Sequence, residues 1–177
     1  LSIVSQYLQS GMFKNVLLIG SDNFSKITDW SKRDSIFFGD GSGAAVITTG
    51  SESGIIAQRI YSDGRGKFNF TVPGGGSELP LNTNNINKGL NFFSMNGRSV
   101  YEVGTQVLPK AINQVLKDSD LSIDQIDLLI PHQPSIKTLK KTAEIINIPW
   151  NKVMTNMDKF ANTAGATIPL LMDQVKL

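Results

Sequence analysis

Ile126-Asp127-Leu128-Leu129-Ile130-Pro131-His132-Gln133-Pro134-Ser135-Ile136-Lys137-Thr138-Leu139-Lys140-Lys141-Thr142-Ala143-Glu144-Ile145-Ile146 reads as strand, loop and helix in succession. The run Ile126–Ile130 suits a short strand buried on both faces. Pro131 and Pro134 bracket a loop, because neither can donate to a ladder. From about Ser135 to Ile146 the apolar residues recur at helical spacing, with Lys137, Lys140 and Lys141 making a basic face. Strand followed by helix is the unit of layered α/β folds. Such folds place their chemistry where a strand ends and a loop opens. His132, the only histidine in the chain, stands at that point.

The rest of the chain repeats the theme. Leu1, Val4 and Leu8 are spaced as one helix face, and Gly11 follows as a natural stop. Val16-Leu17-Leu18-Ile19-Gly20 is a second run suited to burial on both faces. Asp34 to Thr49 reads as two strands, Ile36–Phe38 and Ala44–Thr48, around Gly39-Asp40-Gly41-Ser42-Gly43. A further strand is expected over Gly54–Tyr61, then a Gly- and Asn-rich loop over 62–95, long enough to suggest function. A helix follows from about Ser99 to Lys117. Its apolar stripe is Val100, Val103, Val107, Ala111, Val115 and Leu116, Ser99 and Glu102 resemble a capping box, and Pro109 should kink it. Lys152–Asn156 reads as a short strand, 157–166 as a loop and Ala166–Leu177 as a helix. Alternating strands and helices predict an α/β fold with much parallel sheet.

Composition narrows the function. At 40% hydrophobic and 18% charged residues the chain is globular in type. A net charge of +2, dispersed along the sequence, argues against a nucleic-acid partner. No apolar run approaches the roughly 20 residues of a membrane span. With no cysteine and one histidine, disulfides, thiolate chemistry and an ordinary zinc site within this chain are excluded. A cytoplasmic protein without metal or cofactor is expected.

Several features admit two readings at this level. The close glycines of 39–43 would cradle phosphate only if a helix followed. Ala44–Thr48 reads instead as strand, which favours a tight turn with closely packed backbones. His132 reads as structural or catalytic. Asn162 reads as a helix cap or Asx-turn, or as a catalytic amide. The lysine face of 137–141 reads as solvated surface or as a docking site.

Four stretches, taken in order, resemble the β-ketoacyl-acyl carrier protein synthase III family of thiolase-like condensing enzymes. They are Asp29-Trp30-Ser31-Lys32-Arg33 leading into Phe38–Ala44, Met95-Asn96-Gly97-Arg98-Ser99-Val100-Tyr101, Ile130-Pro131-His132-Gln133, and Asn162-Thr163-Ala164-Gly165-Ala166-Thr167-Ile168-Pro169. The resemblance implies an αβαβα thiolase-like fold, incomplete in this chain. Residues 1–50 would end the first half, and 51–177 would make most of the second. It implies a Cys-His-Asn triad with His132 and Asn162 as two members and the Cys about seven residues before Leu1. The last two strands would follow Leu177.

The implied activity is decarboxylative condensation of an acyl thioester with malonyl-carrier protein, in fatty-acid or polyketide-type synthesis. The alternatives are acyl transfer or non-decarboxylating condensation on the same triad, or a non-catalytic partner subunit. Coenzyme A and carrier-bound pantetheine enter as substrates, with Arg33 against the adenine and Gly97 along the pantetheine tunnel. Lys137, with Lys140 and Lys141, would receive an acyl carrier protein, and a homodimer is implied. The chain departs from the family's frequent His-Gln-Ala-Asn with Pro134-Ser135, and from Gly-Asn-Thr-Ser with Ala161 and Ala164. Glu102 and Glu144 stand where basic residues are common in the family. A specialised synthase of a secondary pathway is as compatible with these departures as the initiating enzyme of fatty-acid synthesis.

Overall fold

The computed structural model describes residues 1–50 and 54–175. The expected junction between halves at 50/51 borders the undescribed residues 51–53, and the expected helix end at Leu177 also lies outside the described residues. The first unit is helix α1 (Ser2–Gln9) and a hairpin of β1 (Asn15–Asp22) with β2 (Gly41–Thr48). The two strands are antiparallel, with Asn15 opposite Thr48 and Asp22 opposite Gly41. Helix α1 presents Val4 and Leu8 inward, as its spacing requires, and closes at Gly11. β2 begins directly at Gly41, so the glycines lead into a strand.

β1 is not buried on both faces. Its burial alternates, with Leu17 and Ile19 exposed beside Val46 of β2. An antiparallel pair with one covered face produces this alternation. The covered face is bedded on the 163–170 segment. A Cβ on Gly20 would strike the Gly165 carbonyl, and one on Gly39 would strike the Phe160 carbonyl. The bare backbones let the loop lie directly on the hairpin.

Between the hairpin and the second unit the expected strands give way to other structure. Ile36–Phe38 falls largely in a 3₁₀ turn, Arg33–Phe37. Residues 54–61 form no ladder. They are tethered by side chains, Gln58 to Ser5 at 2.8 Å and Arg59 to Asp118. The loop region holds two-residue strands β3 (Phe70–Thr71) and β4 (Ser94–Met95), paired antiparallel, and a short helix α2 (Thr83–Asn87).

Helix α3 (Gly97–Asp118) starts two residues earlier than its apolar pattern suggests. Its cap is Asn96, whose side chain accepts from the Ser99 N–H at 3.1 Å; Glu102 is drawn instead to Arg98. The helix continues through Pro109, and Val103 and Val107 of its stripe are exposed. Helix α4 (Ile136–Ile146) packs on α3 and is capped by Ser135, which accepts from Thr138 N–H. Leu139, Ala143 and Ile146 are its buried face. Ala143, Ile146, Ile148 and Val153 form a core with Ile112, Ile123, Ile126 and Leu129 packed against it.

The runs 126–130 and 152–156 do not become full strands. They meet at one parallel bridge, Leu129 to Val153. The Lys152 ammonium takes the Ile126 and Asp124 carbonyls, at 2.7 and 3.4 Å, in place of strand partners. The named ladders are therefore antiparallel, and parallel pairing is confined among the described residues to isolated bridges. Helix α5 (Met157–Phe160) and helix α6 (Thr167–Gln174) are the last helices of the described residues, with Leu171 fully buried. No helix of the described residues is long and apolar enough to cross a membrane.

Candidate active site

His132 follows the bridged segment, and Asn162 follows α5. Asn162 is pinned on both backbone sides. Its N–H donates to the Phe37 carbonyl at 2.9 Å, and its carbonyl accepts from Gly39 N–H at 3.0 Å. This makes a parallel bridge between Phe38 and Asn162, joining the C-terminal loop to the segment that enters β2. A third tie is the Asp22 carboxylate at the end of β1, which accepts from Gly165 N–H at 2.7 Å. The Asn162 side chain is buried, and its Oδ1 accepts from Ala164 N–H at 2.9 Å. With the oxygen engaged, the amide orientation is set, and Nδ2 is left as a donor with no acceptor among the described residues.

The same Ala164 backbone lies beside His132. Although the residue's surface is open, the protein around the imidazole desolvates it and lowers its pKa below the ordinary 6.5. The Ala164 backbone pulls the other way by favouring the charged ring. His132 and Asn162, thirty positions apart in sequence, thus converge on one loop. A neutral imidazole and a primary amide can each present an N–H to a developing oxyanion. A neutral amide cannot take up a proton, so any base role in this pair falls to His132.

The backbone here is strained. Ala161 adopts φ 58° and ψ −151°, and Ala164 has φ 47°. Non-glycine residues in such regions cost free energy and cluster at functional sites. Beside Asn162, Phe38 stacks on Phe24 at 4.8 Å and meets Phe93 edge-on at 4.6 Å, with Phe70 against both Phe38 and Phe93. Sequence reasoning missed this cluster, because its four rings come from segments without a common periodicity.

Arg33 is exposed at the start of its 3₁₀ turn, and Gly97 opens α3. Their neighbours Asp29, Lys32 and Asp34, and Ser94 and Met95, line one cleft of about 100 Å³, so the two segments are brought together. No hydrogen bond or ion pair among the described residues joins them to His132. Of the lysines on α4, Lys141 pairs with Glu144 at 3.1 Å and Lys140 lies over the Trp150 ring at 5.7 Å. Lys137 is exposed and takes part in none of the ion pairs found among the described residues. No group of three potential metal-ligating side chains occurs among the described residues.

Two family models match the chain. Residues 1–64 match 3-oxoacyl-[acyl-carrier-protein] synthase III, and residues 116–176 match the C-terminal part of the same family. The β-ketoacyl-[acyl-carrier-protein] synthase III of Clostridium acetobutylicum is 36% identical over 99% of this chain and 54% of its own length. Among solved structures, the 3-oxoacyl-[acyl-carrier-protein] synthase III of Aquifex aeolicus superposes with a TM-score of 0.84 at 31% identity, over 98% of this chain and 52% of that one. The corresponding Pseudomonas aeruginosa structure gives 0.86 at 25% identity, again over 98% and 52%. The chain spans about half the length of the curated relatives it matches. These neighbours place it in the thiolase-like α/β fold.

Proposed function

The chain belongs to the 3-oxoacyl-[acyl-carrier-protein] synthase III family, and from that premise we propose that it carries the decarboxylating half of a condensing active site. The observation that supports this most is the Asn162 side chain, its oxygen held by Ala164 N–H and its Nδ2 left to donate, on the loop whose Ala164 backbone also influences His132.

In this reading the thioester oxygen of a malonyl group sits between the His132 ring and the Asn162 amide. The bond from the α-carbon to the carboxylate breaks, CO₂ leaves, and the electron pair moves into an enolate whose oxygen takes two hydrogen bonds. The enolate carbon then attacks an acyl group held as a thioester on a cysteine. The carbon–carbon bond forms, and the cysteine thiolate leaves. The chain contains no cysteine, so the nucleophile comes from polypeptide outside these residues. Two preorganised donors at the developing charge are the main source of rate in such a step.

Arg33 and Gly97 flank the approach of a coenzyme A thioester. Lys137 receives an acidic acyl carrier protein, with Lys140 and Lys141 as weaker contributors because each already has a partner. The active species is a homodimer of the full-length gene product.

Product analysis tests the reaction. The full-length protein, given an acyl-CoA and malonyl-carrier protein labelled at the α-carbon, should yield a labelled 3-oxoacyl-carrier product with stoichiometric CO₂. Acyl transfer to oxygen or nitrogen without CO₂ would overturn the proposal.

A further inference from the structure

Gln133 is completely buried, directly beside an exposed His132. Its Nε2 donates to the Pro131 carbonyl at 3.1 Å and to the Met154 carbonyl at 3.2 Å. Its Oε1 accepts from Asn156 N–H at 3.3 Å. One side-chain amide therefore satisfies three backbone groups on two segments. One group belongs to the His132 loop. The other two belong to the segment that leads into α5 and on to Asn162.

The loop has little else to hold it. Pro131 and Pro134 have no N–H to give. Residues 131–134 make no backbone–backbone hydrogen bond among the described residues. Gln133 is buried while its neighbour His132 is exposed, so the loop commits one side chain to the interior and leaves the other accessible. A buried amide with all three contacts made is costly to disturb, since any partner left unmade is a buried polar group without a bond.

We propose that Gln133 is a positioning residue that clamps the His132 loop to the segment carrying Asn162 and so sets the distance between the two donors. This rests on the decarboxylation reading for its catalytic consequence, though not for its geometry. Removing the clamp should cost turnover more than binding, because displacement of a donor by about 1 Å can cost on the order of a hundredfold in rate.

Gln133→Leu and Gln133→Glu in the full-length protein test it. The leucine keeps the bulk and removes all three bonds. The glutamic acid keeps a donor and an acceptor only while protonated. Ionised, it would face two carbonyl oxygens. With malonyl-CoA as substrate, Gln133→Leu should lower kcat for CO₂ release by about tenfold or more, with KM within about threefold. Gln133→Glu should approach wild type at low pH and lose turnover relative to wild type as pH rises. A purely structural requirement would not produce that pH-dependent ratio at temperatures where both proteins stay folded.

The His132 ring proton, followed by NMR and assigned by its loss in His132→Ala, gives a readout independent of turnover. Its pKa should move up toward the ordinary histidine value in Gln133→Leu as the loop comes free. A Gln133→Leu protein with kcat within twofold of wild type, a pH-independent Gln133→Glu ratio, or an unmoved His132 titration would each overturn the inference. If wild type releases no CO₂, the decarboxylation reading fails, and the His132 titration still decides the clamp.

Discussion

Ala161→Gly should make the protein more stable without loss of activity. Ala161 closes α5, its N–H donating to the Met157 carbonyl at 3.0 Å, and then reverses the chain so that Asn162 can pair with Phe37 and Gly39. The reversal forces φ 58° and ψ −151°, a combination that glycine adopts readily and other residues rarely do. Holding alanine there costs of order 1–3 kcal/mol. Glycine gives back about 0.4–1 kcal/mol through its larger unfolded-state entropy. Loss of one half-buried methyl removes at most about 0.8 kcal/mol. The balance is roughly 1 kcal/mol in favour of glycine. Urea unfolding of the full-length protein measures it, with an increase in midpoint at constant slope. Activity should hold, because the two backbone bonds of Asn162 and its bond from Ala164 N–H do not involve the methyl group. A glycine variant less stable than wild type by 0.5 kcal/mol or more (about a third of the tenfold unit) would refute the assignment of strain to Ala161.

Gly20→Ala should act oppositely. Its new methyl would strike the Gly165 carbonyl, and overpacking of this kind costs about 1–3 kcal/mol. Thermal melts should fall and CO₂ release with them; an unchanged Tm would show that the loop yields. Burial lowers the His132 pKa, so the unfolded chain binds a proton more readily than the folded one. The corresponding stability is complete above pH 6.5 and is lost as pH falls below it toward the lower folded pKa. The acid limb of malonyl-CoA decarboxylation should accordingly lie below pH 6.5, and a limb above that value would contradict a neutral donor. Lys137→Glu should raise KM for malonyl-carrier protein, most at low salt, and leave KM for malonyl-CoA nearly unchanged. Equal effects on both substrates would remove Lys137 from the docking surface.

Local signals carried much of the fold. The Val4, Leu8 spacing with Gly11 marks α1, although Leu1 of the expected stripe is its exposed cap residue, and Ser135 with the stripe through Ile146 marks α4, because caps and periodicity are fixed within one or two turns. Strands were less legible. Ile126–Ile130 has a strand's composition, yet it pairs only at Leu129, and the Ile126 carbonyl is taken by the Lys152 ammonium, an interaction spanning 26 residues. Val16–Ile19 carries apolar residues on both faces, and only the tertiary arrangement shows Leu17 and Ile19 exposed. At α3 the expected Ser99–Glu102 capping box does not form: Asn96 caps the helix, and Glu102 pairs with Arg98.

The candidate site divides the same way. The motifs singled out His132 and Asn162 as candidates, while Gln133 stood in the quoted motif without a role. Its part depends on Met154 and Asn156, which only the folded chain brings near. The aromatic cluster beside Asn162 and the differing partners of Lys137, Lys140 and Lys141 are likewise products of distant contacts.

The most direct test of the central assignment separates the two half-reactions in the full-length protein. CO₂ release from malonyl-carrier protein and acylation by a labelled acyl-CoA are measured for wild type, His132→Ala and Asn162→Ala. Loss of either donor should slow CO₂ release by about 10²–10³ while acylation stays much closer to wild type. Near-normal CO₂ release in both variants, or acylation impaired as severely as decarboxylation, would contradict the assignment of His132 and Asn162 as the oxyanion donors.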